Sequence, residues 1–147
     1  MKTVAYKQMG TLFVSVHGKE AVSHSQFPEI LATFRQLDFE RVKMLVITDG
    51  GGPTPAQRKE MNAALEGQQL MTAVVSDAVM IRGTVTALGW FNAKIRSFRK
   101  SELVQALTYL GVHPARFDGI REEIAALRDQ LVHEQERFKG GGVSLDR

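Results

Sequence analysis

The chain has no cysteine among its 147 residues, which excludes disulfides, thiolate nucleophiles and thiolate metal sites. No run approaches the roughly 18 apolar residues needed to cross a bilayer, so no membrane span is expected. The opening "MKTVAYKQMG" lacks the apolar core of a secretion signal, and a cytoplasmic protein is the expectation. There is no internal repeat and no low-complexity tract. Charge of one sign is scarce too: the formal net charge is only +3. The densest basic stretch is "KIRSFRK" (94–100), with four cations and no acid. A surface that tracks nucleic-acid phosphates adds exposed aromatics between its cations. Here Ile95 and Phe98 read as core residues of a strand, so the cations line a solvated sheet edge, where Lys and Arg discourage pairing with other chains. No nucleic-acid partner is expected.

Catalytic signatures are equally sparse. His17, His24, His113 and His133 show no paired ligand spacing and no carboxylate neighbours that would complete a metal site; they read as surface or loop residues. No serine sits in a Gly-x-Ser-x-Gly elbow, and no nucleophile stands beside a base. No catalytic residue, metal or cofactor is therefore expected, and the protein is expected not to be an enzyme.

What is present is a regular alternation of elements. The length suits one domain with a real core. "TVAYKQMGTLFVSVHG" gives two short strands around Met9-Gly10, with Val4 and Tyr6, then Leu12, Val14 and Val16, at alternate positions. "SQFPEILATFRQLDF" places Phe27, Ile30, Leu31, Phe34 and Leu37 at helical spacing, with Pro28 in the first turn. "VKMLVIT" (42–48) and "LMTAVVS" (70–76) are apolar runs of the kind buried on both faces. "PAQRKEMNAALEGQ" and "AVMIRGTVTALGWF" read as helices, "AKIRSF" as a strand, and "SELVQALTYLGV" as a helix closed by Gly111. Strand-helix alternation with short connections implies parallel strands joined by right-handed crossovers. The fold class is α/β, a mixed sheet of about five strands with an antiparallel hairpin at one edge and helices flanking it.

The C-terminal segment "FDGIREEIAALRDQLVHEQERF" sets Ile120, Ile124, Leu127 and Leu131 on one face at heptad-like spacing. Such a seam either lies across its own domain or forms a homodimer contact. The tail "KGGGVSLDR" is expected to be flexible.

The stretch that invites a functional reading is "VITDGGGPTP" (46–55). Thr54-Pro55-Ala56-Gln57 is a helix start: the threonine caps, proline takes the first helical position, and glutamine completes a capping box. Three glycines supply more backbone freedom than a turn needs. Asp49, Gly50, Gly51, Gly52 and Thr54, with Ser76 and Arg82 nearby, are the candidate partner- or anion-binding set. As a phosphate cradle the loop has glycines and a helix N-terminus but lacks the Gly-Lys-Ser/Thr ending of a nucleotide loop. As a phosphoacceptor, Thr54 would carry charge where the helix dipole welcomes it. Asp49, Ser76 and Lys100 end successive strands, in the Asp, Ser/Thr, Lys order of two-component receiver domains. That likeness breaks at "LFVSVHGKE", which offers only Glu20 where receivers need an acidic pair for magnesium.

The order hairpin, helix, buried strand, glycine loop, helix, strand, helix, strand, helix, together with "TAVVSDAVMIRGTVTALGWFNAKIRSFRKSELVQALTYLGV", resembles the bacterial SpoIIAA-like proteins of the STAS domain group over residues 3 to 112. In the anti-sigma-factor antagonists of that group, a serine at the start of the helix after the central strand is phosphorylated, switching binding to a partner kinase. The resemblance carries that role to Thr54, although "DGGGPTP" replaces the Asp-Ser-Ser/Thr-Gly type of motif. It implies a STAS-like domain over 1–112, a helical extension over 113–138 and a tail over 139–147. The expected function is a regulatory or scaffolding module acting by protein-protein interaction, switched by phosphorylation. The alternative is a carrier or sensor of a small lipid-like or nucleotide-like ligand, held between the loop and the Gly83–Phe91 helix.

Overall fold

A computed structural model describes residues 2–79, 81 and 94–145, with side chains as far as 132. Most of the helix expected from "AVMIRGTVTALGWF", including Arg82, Gly83, Gly89, Trp90 and Phe91, lies outside the described residues. The first strands, β1 (Val4–Met9) and β2 (Leu12–His17), form the expected hairpin, with Gly10 at φ +62° in the turn. Helix α1 (Phe27–Arg35), strand β3 (Lys43–Thr48), helix α2 (Pro55–Ala64), and strands β4 (Thr72–Val75) and β5 (Ile95–Phe98) follow. A single turn of 3₁₀ helix at Lys100–Glu102 leads into α3 (Leu103–Tyr109), and a second at Pro114–Arg116 leads into α4 (Phe117–Leu145).

The strands lie in the order β1-β2-β3-β4-β5, antiparallel between β1 and β2 and parallel thereafter. Strand order therefore follows chain order, and each crossover steps the same way across the sheet. The two faces are covered differently. Phe13, Phe34, Leu37, Val42, Met44, Leu65 and Leu70 pack between the sheet and α1 with α2. Leu12, Val14, Val16, Leu45, Ile47, Ala73, Val75 and Phe98 pack against α3 and α4 from the other side. Burial on both faces is why every residue of β2 is buried. The alternation of Leu12, Val14 and Val16 predicts only one of those faces.

Helix α4 answers the question of the apolar seam. Ile120, Leu127 and Leu131 are buried in the same core as the sheet, and Ile124 is partly buried against it. Burying each such side chain stabilises the fold by about 2 kcal/mol, so the extension is part of the core. The seam lies across its own domain and is not available as a dimer contact in this fold. The helix also runs on to Leu145, past Phe138 and through the segment expected to be a flexible tail. Glycine lowers helix stability by about 1 kcal/mol per residue without removing a hydrogen bond, and no proline interrupts the ladder there. No described helix is long and apolar enough to cross a membrane.

The two edge strands are finished unlike one another. On β1 the Gln26 side chain behaves as a short stand-in for a sixth strand. Its Oε1 accepts from the backbone N–H of Thr3 (2.8 Å) and Val4 (3.2 Å), and its Nε2 donates to the Val4 carbonyl (2.7 Å). At the far end, Arg116 donates to the Met9 carbonyl (3.1 Å). On β5, Arg96 lies over the rings of Phe98 and Tyr109, 5.7 and 5.2 Å from their centroids.

Candidate functional site

The loop after β3 sits where an α/β sheet places its chemistry, at the carboxyl ends of the parallel strands. Two of its three glycines have a structural reason. Gly50 adopts φ +131°, a region closed to other residues. A Cβ on Gly51 would collide with the Glu20 carbonyl and come within 2.8 Å of the Gly18 carbonyl oxygen. That crowding exists because the loop is stitched to the segment after β2. Gly51 N–H donates to Gly18 (2.8 Å), Val22 N–H donates to Gly52 (2.9 Å), and Ala21 and Gly52 form a parallel bridge. Gly52 has open space around it. From within, Thr48 Oγ1 donates to the Gly51 carbonyl (2.6 Å) and accepts from Gly50 N–H (3.0 Å). The loop is thus fixed, and its glycines serve close backbone approach.

Thr54 completes the predicted capping box. Its Oγ1 accepts from Gln57 N–H (3.2 Å), while Gln57 Oε1 accepts from Thr54 N–H (2.9 Å). Gln57 is itself buried and donates through Nε2 to the Val22 carbonyl (3.1 Å), tying α2 to the same segment that holds the glycines. Arg58, which spacing leaves inside the helix, donates to the Pro53 carbonyl (2.9 Å). Its guanidinium therefore lies on the loop beside Thr54, a half-exposed residue.

Asp49 and Lys100 meet, as their places at strand ends predict. The Asp49 carboxylate takes Lys100 Nζ on one oxygen and Arg128 on the other (3.0 Å). Partial burial acts to raise this carboxyl, but the Lys100 hydrogen bond and the Arg128 charge outweigh it and hold it below the ordinary value of 3.8. Arg128 comes from α4, so the triad pins the C-terminal helix to the loop. Its role is invisible in the seam pattern, which names only apolar positions; its single signal is its place next to Leu127.

Ser76 does not join them. Strand alternation sends Val75 to the α4 side of the sheet and turns Ser76 to the α2 side. Ser76 is fully buried and its Oγ accepts from Ala78 N–H (3.1 Å), the capping role expected of it. Asp77 instead accepts from Lys100 N–H (3.0 Å). The receiver-like trio of Asp49, Ser76 and Lys100 is therefore divided between two faces. Arg82 lies outside the described residues, as does the Gly83–Phe91 half of the expected ligand pocket.

On its own face Ser76 continues a row. His17 pairs in register with Thr48, and the Ile47–Val75 pair carries that register on to Ser76. All three are buried, at 6%, 1% and 0% exposure. His17 corrects the expectation of a surface histidine: it ends a strand packed on both sides and lies beneath the loop. Its Nδ1 has no hydrogen-bond partner among the described residues, and burial pushes the imidazole from 6.5 down to about 4. His24 and His113 are exposed as expected, and the His113 Nδ1 accepts from Ala115 N–H. No group of His, Asp and Glu able to hold a metal occurs among the described residues. Two shallow depressions, one around Lys2, Tyr6 and Glu29 and one around Arg35, Phe39 and Gln68, do not include the loop.

No protein-family model matches the sequence, and no curated protein matches it either. Among solved structures, the chain is similar to an uncharacterised protein of the DUF3478 family with a SpoIIAA-like fold, from Shewanella loihica PV-4. Identity is 13%, coverage is 65% of this chain and 83% of that one, and the TM-score is 0.42.

Proposed function

We propose that this chain is a non-enzymatic regulatory or scaffolding module that binds a protein partner through the Asp49–Thr54 loop and the helix starts beside it, with phosphorylation of Thr54 as the switch. The observation that carries this reading is the contrast among hydroxyls at this end of the sheet. Thr48 and Ser76 are buried and hydrogen-bonded inside the protein, whereas Thr54 is half-exposed on a rigid loop with Arg58 against it. A phosphate on Thr54 would meet the positive end of α2 and a guanidinium within reach, two favourable terms for a dianion. The surface around it would change from a neutral cap to a charged one without unfolding the helix.

The test is made on protein purified gently from its own host. Peptide mass spectrometry is expected to find a phosphate-sized increment on the Thr54 peptide, absent from Thr54→Ala. A tagged wild-type chain is expected to retain a partner that Thr54→Glu releases, or the reverse. An unmodified Thr54, with the same proteins retained by wild type, Thr54→Ala and Thr54→Glu, would refute the switch.

A further inference from the structure

The basic strand β5 is an edge whose outward backbone is unoccupied among the described residues, and its chemistry selects a partner. Thr72 N–H donates to the Lys94 carbonyl and Ser76 N–H donates to the Phe98 carbonyl, each at 2.9 Å. Residues 94 and 98 therefore face β4, and the alternation of a parallel ladder places Arg96 with them. Ile95 and Ser97 then direct their N–H and C=O groups away from the sheet. No described hydrogen bond uses those groups, and both residues are only half-buried. On the opposite edge, the Gln26 amide fills the outward positions at Val4, the first residue of β1.

The free side-chain charge around this open edge is positive, since the neighbouring Glu102 and Asp77 carboxylates accept from the backbone N–H groups of Arg99 and Lys100. Arg96 and Arg99 are exposed and form no ion pair among the described residues. Among the described residues Arg96 is held by ring contacts, over Phe98 and Tyr109. A second copy docking here edge to edge would bring these arginines against their own like, which disfavours self-pairing. An acidic strand would meet opposite charge and complete the ladder at once, the mode in which backbone bonds give affinity and side chains give specificity.

We propose that β5 is the docking edge for an extended acidic segment of a partner protein, which adds as a sixth strand on Ile95 and Ser97 with its carboxylates on Arg96 and Arg99. This builds on the partner-binding reading above but concerns a different surface from the Thr54 loop.

Ser97→Pro tests it with little collateral change. The lost N–H points outward, so the ladder to β4 stays intact, and proline is tolerated on edge strands. The probe is a labelled peptide of about eight residues alternating valine and glutamate, with a valine-lysine peptide as control. Binding of the acidic peptide is expected, with slowed amide exchange at Ile95 and Ser97, while the lysine peptide stays unbound. Ser97→Pro is expected to weaken it roughly tenfold or more, as is Arg96→Glu, which leaves the backbone untouched. Thermal melts of both variants establish that they are folded.

Equal binding by Ser97→Pro, or no protection at Ile95 and Ser97, would reduce the effect to bulk charge and overturn the proposal. So would failure of the acidic peptide to bind, or preference for a single-stranded oligonucleotide over it. Retention of host partners by Ser97→Pro but not by Thr54→Glu would overturn the edge alone and leave the loop reading standing.

Discussion

The two faces of the sheet finish their carboxyl ends with opposite solutions. On the α4 face, Asp49, Lys100 and Arg128 are charged, partly solvated and mutually satisfied. On the α2 face, His17, Thr48 and Ser76 are uncharged and buried, and among the described residues His17 is without a partner at Nδ1. The difference follows from what each face can tolerate. Ionised groups need water or counter-charges, and the rim supplies both. A row beneath the loop excludes water, so only neutral groups fit, and an unsatisfied one costs about 1 to 3 kcal/mol.

The largest expected effect strikes both clusters together, because Gly51 lies between them. Gly51→Ala forces a methyl into the Glu20 and Gly18 carbonyls, and a loss of about 3 kcal/mol is expected. Chemical denaturation measures it, with Gly52→Ala, in open space, as the near-neutral control.

Acid separates the two faces. His17 has its folded pKa depressed from 6.5 to about 4, so the unfolded chain takes up that proton first. Stability is full above about 6.5 and falls as pH drops towards 4, by about 3 kcal/mol in all. Asp49, also depressed, behaves in a lower window: its contribution persists above 3.8 and is lost as pH falls below it. Unfolding profiles against pH should show the upper slope flattened by His17→Leu and the lower one by Asp49→Asn. An unchanged upper slope in His17→Leu would break the contrast.

At neutral pH, Asp49→Asn removes the carboxylate that serves both Lys100 and Arg128. All three side chains are partly exposed, at 27%, 39% and 37%, so solvent screens the triad. A cost of about 1 kcal/mol is expected, shrinking as salt is raised. The smallest effect is at the cap. Thr54→Ala should lose about 1 kcal/mol and Thr54→Ser a few tenths at most, a difference that thermal melts resolve and that any phosphorylation experiment must subtract.

Local chemistry made some of this readable from residues alone. The capping box of Thr54 and Gln57 needs only four consecutive residues, and the strand ends bearing Asp49 and Lys100 follow from apolar runs. Parity and packing were harder. Ser76 and Asp49 both end buried strands, yet one residue of register decides which face each enters, and a continuous apolar run carries no parity signal. His17 escaped because alternation along β2 marks one buried face, whereas the helices bury both. Arg128 depended on where α4 crosses the sheet, which a stripe of four apolar residues leaves open. The likeness in element order to SpoIIAA-like proteins reached the sheet topology but none of these contacts.

The Gln26 amide on β1 has a consequence for assembly. A sheet with two open edges can stack head to tail, β5 of one molecule on β1 of the next, and such a heterologous contact propagates into filaments unless it closes into a ring. Gln26 already occupies the Val4 end of β1, so a strand arriving there has only the outward backbone of Tyr6 and Gln8 to pair with. One amide thus shortens the stretch of β1 from which a filament could grow from three outward-facing residues to two.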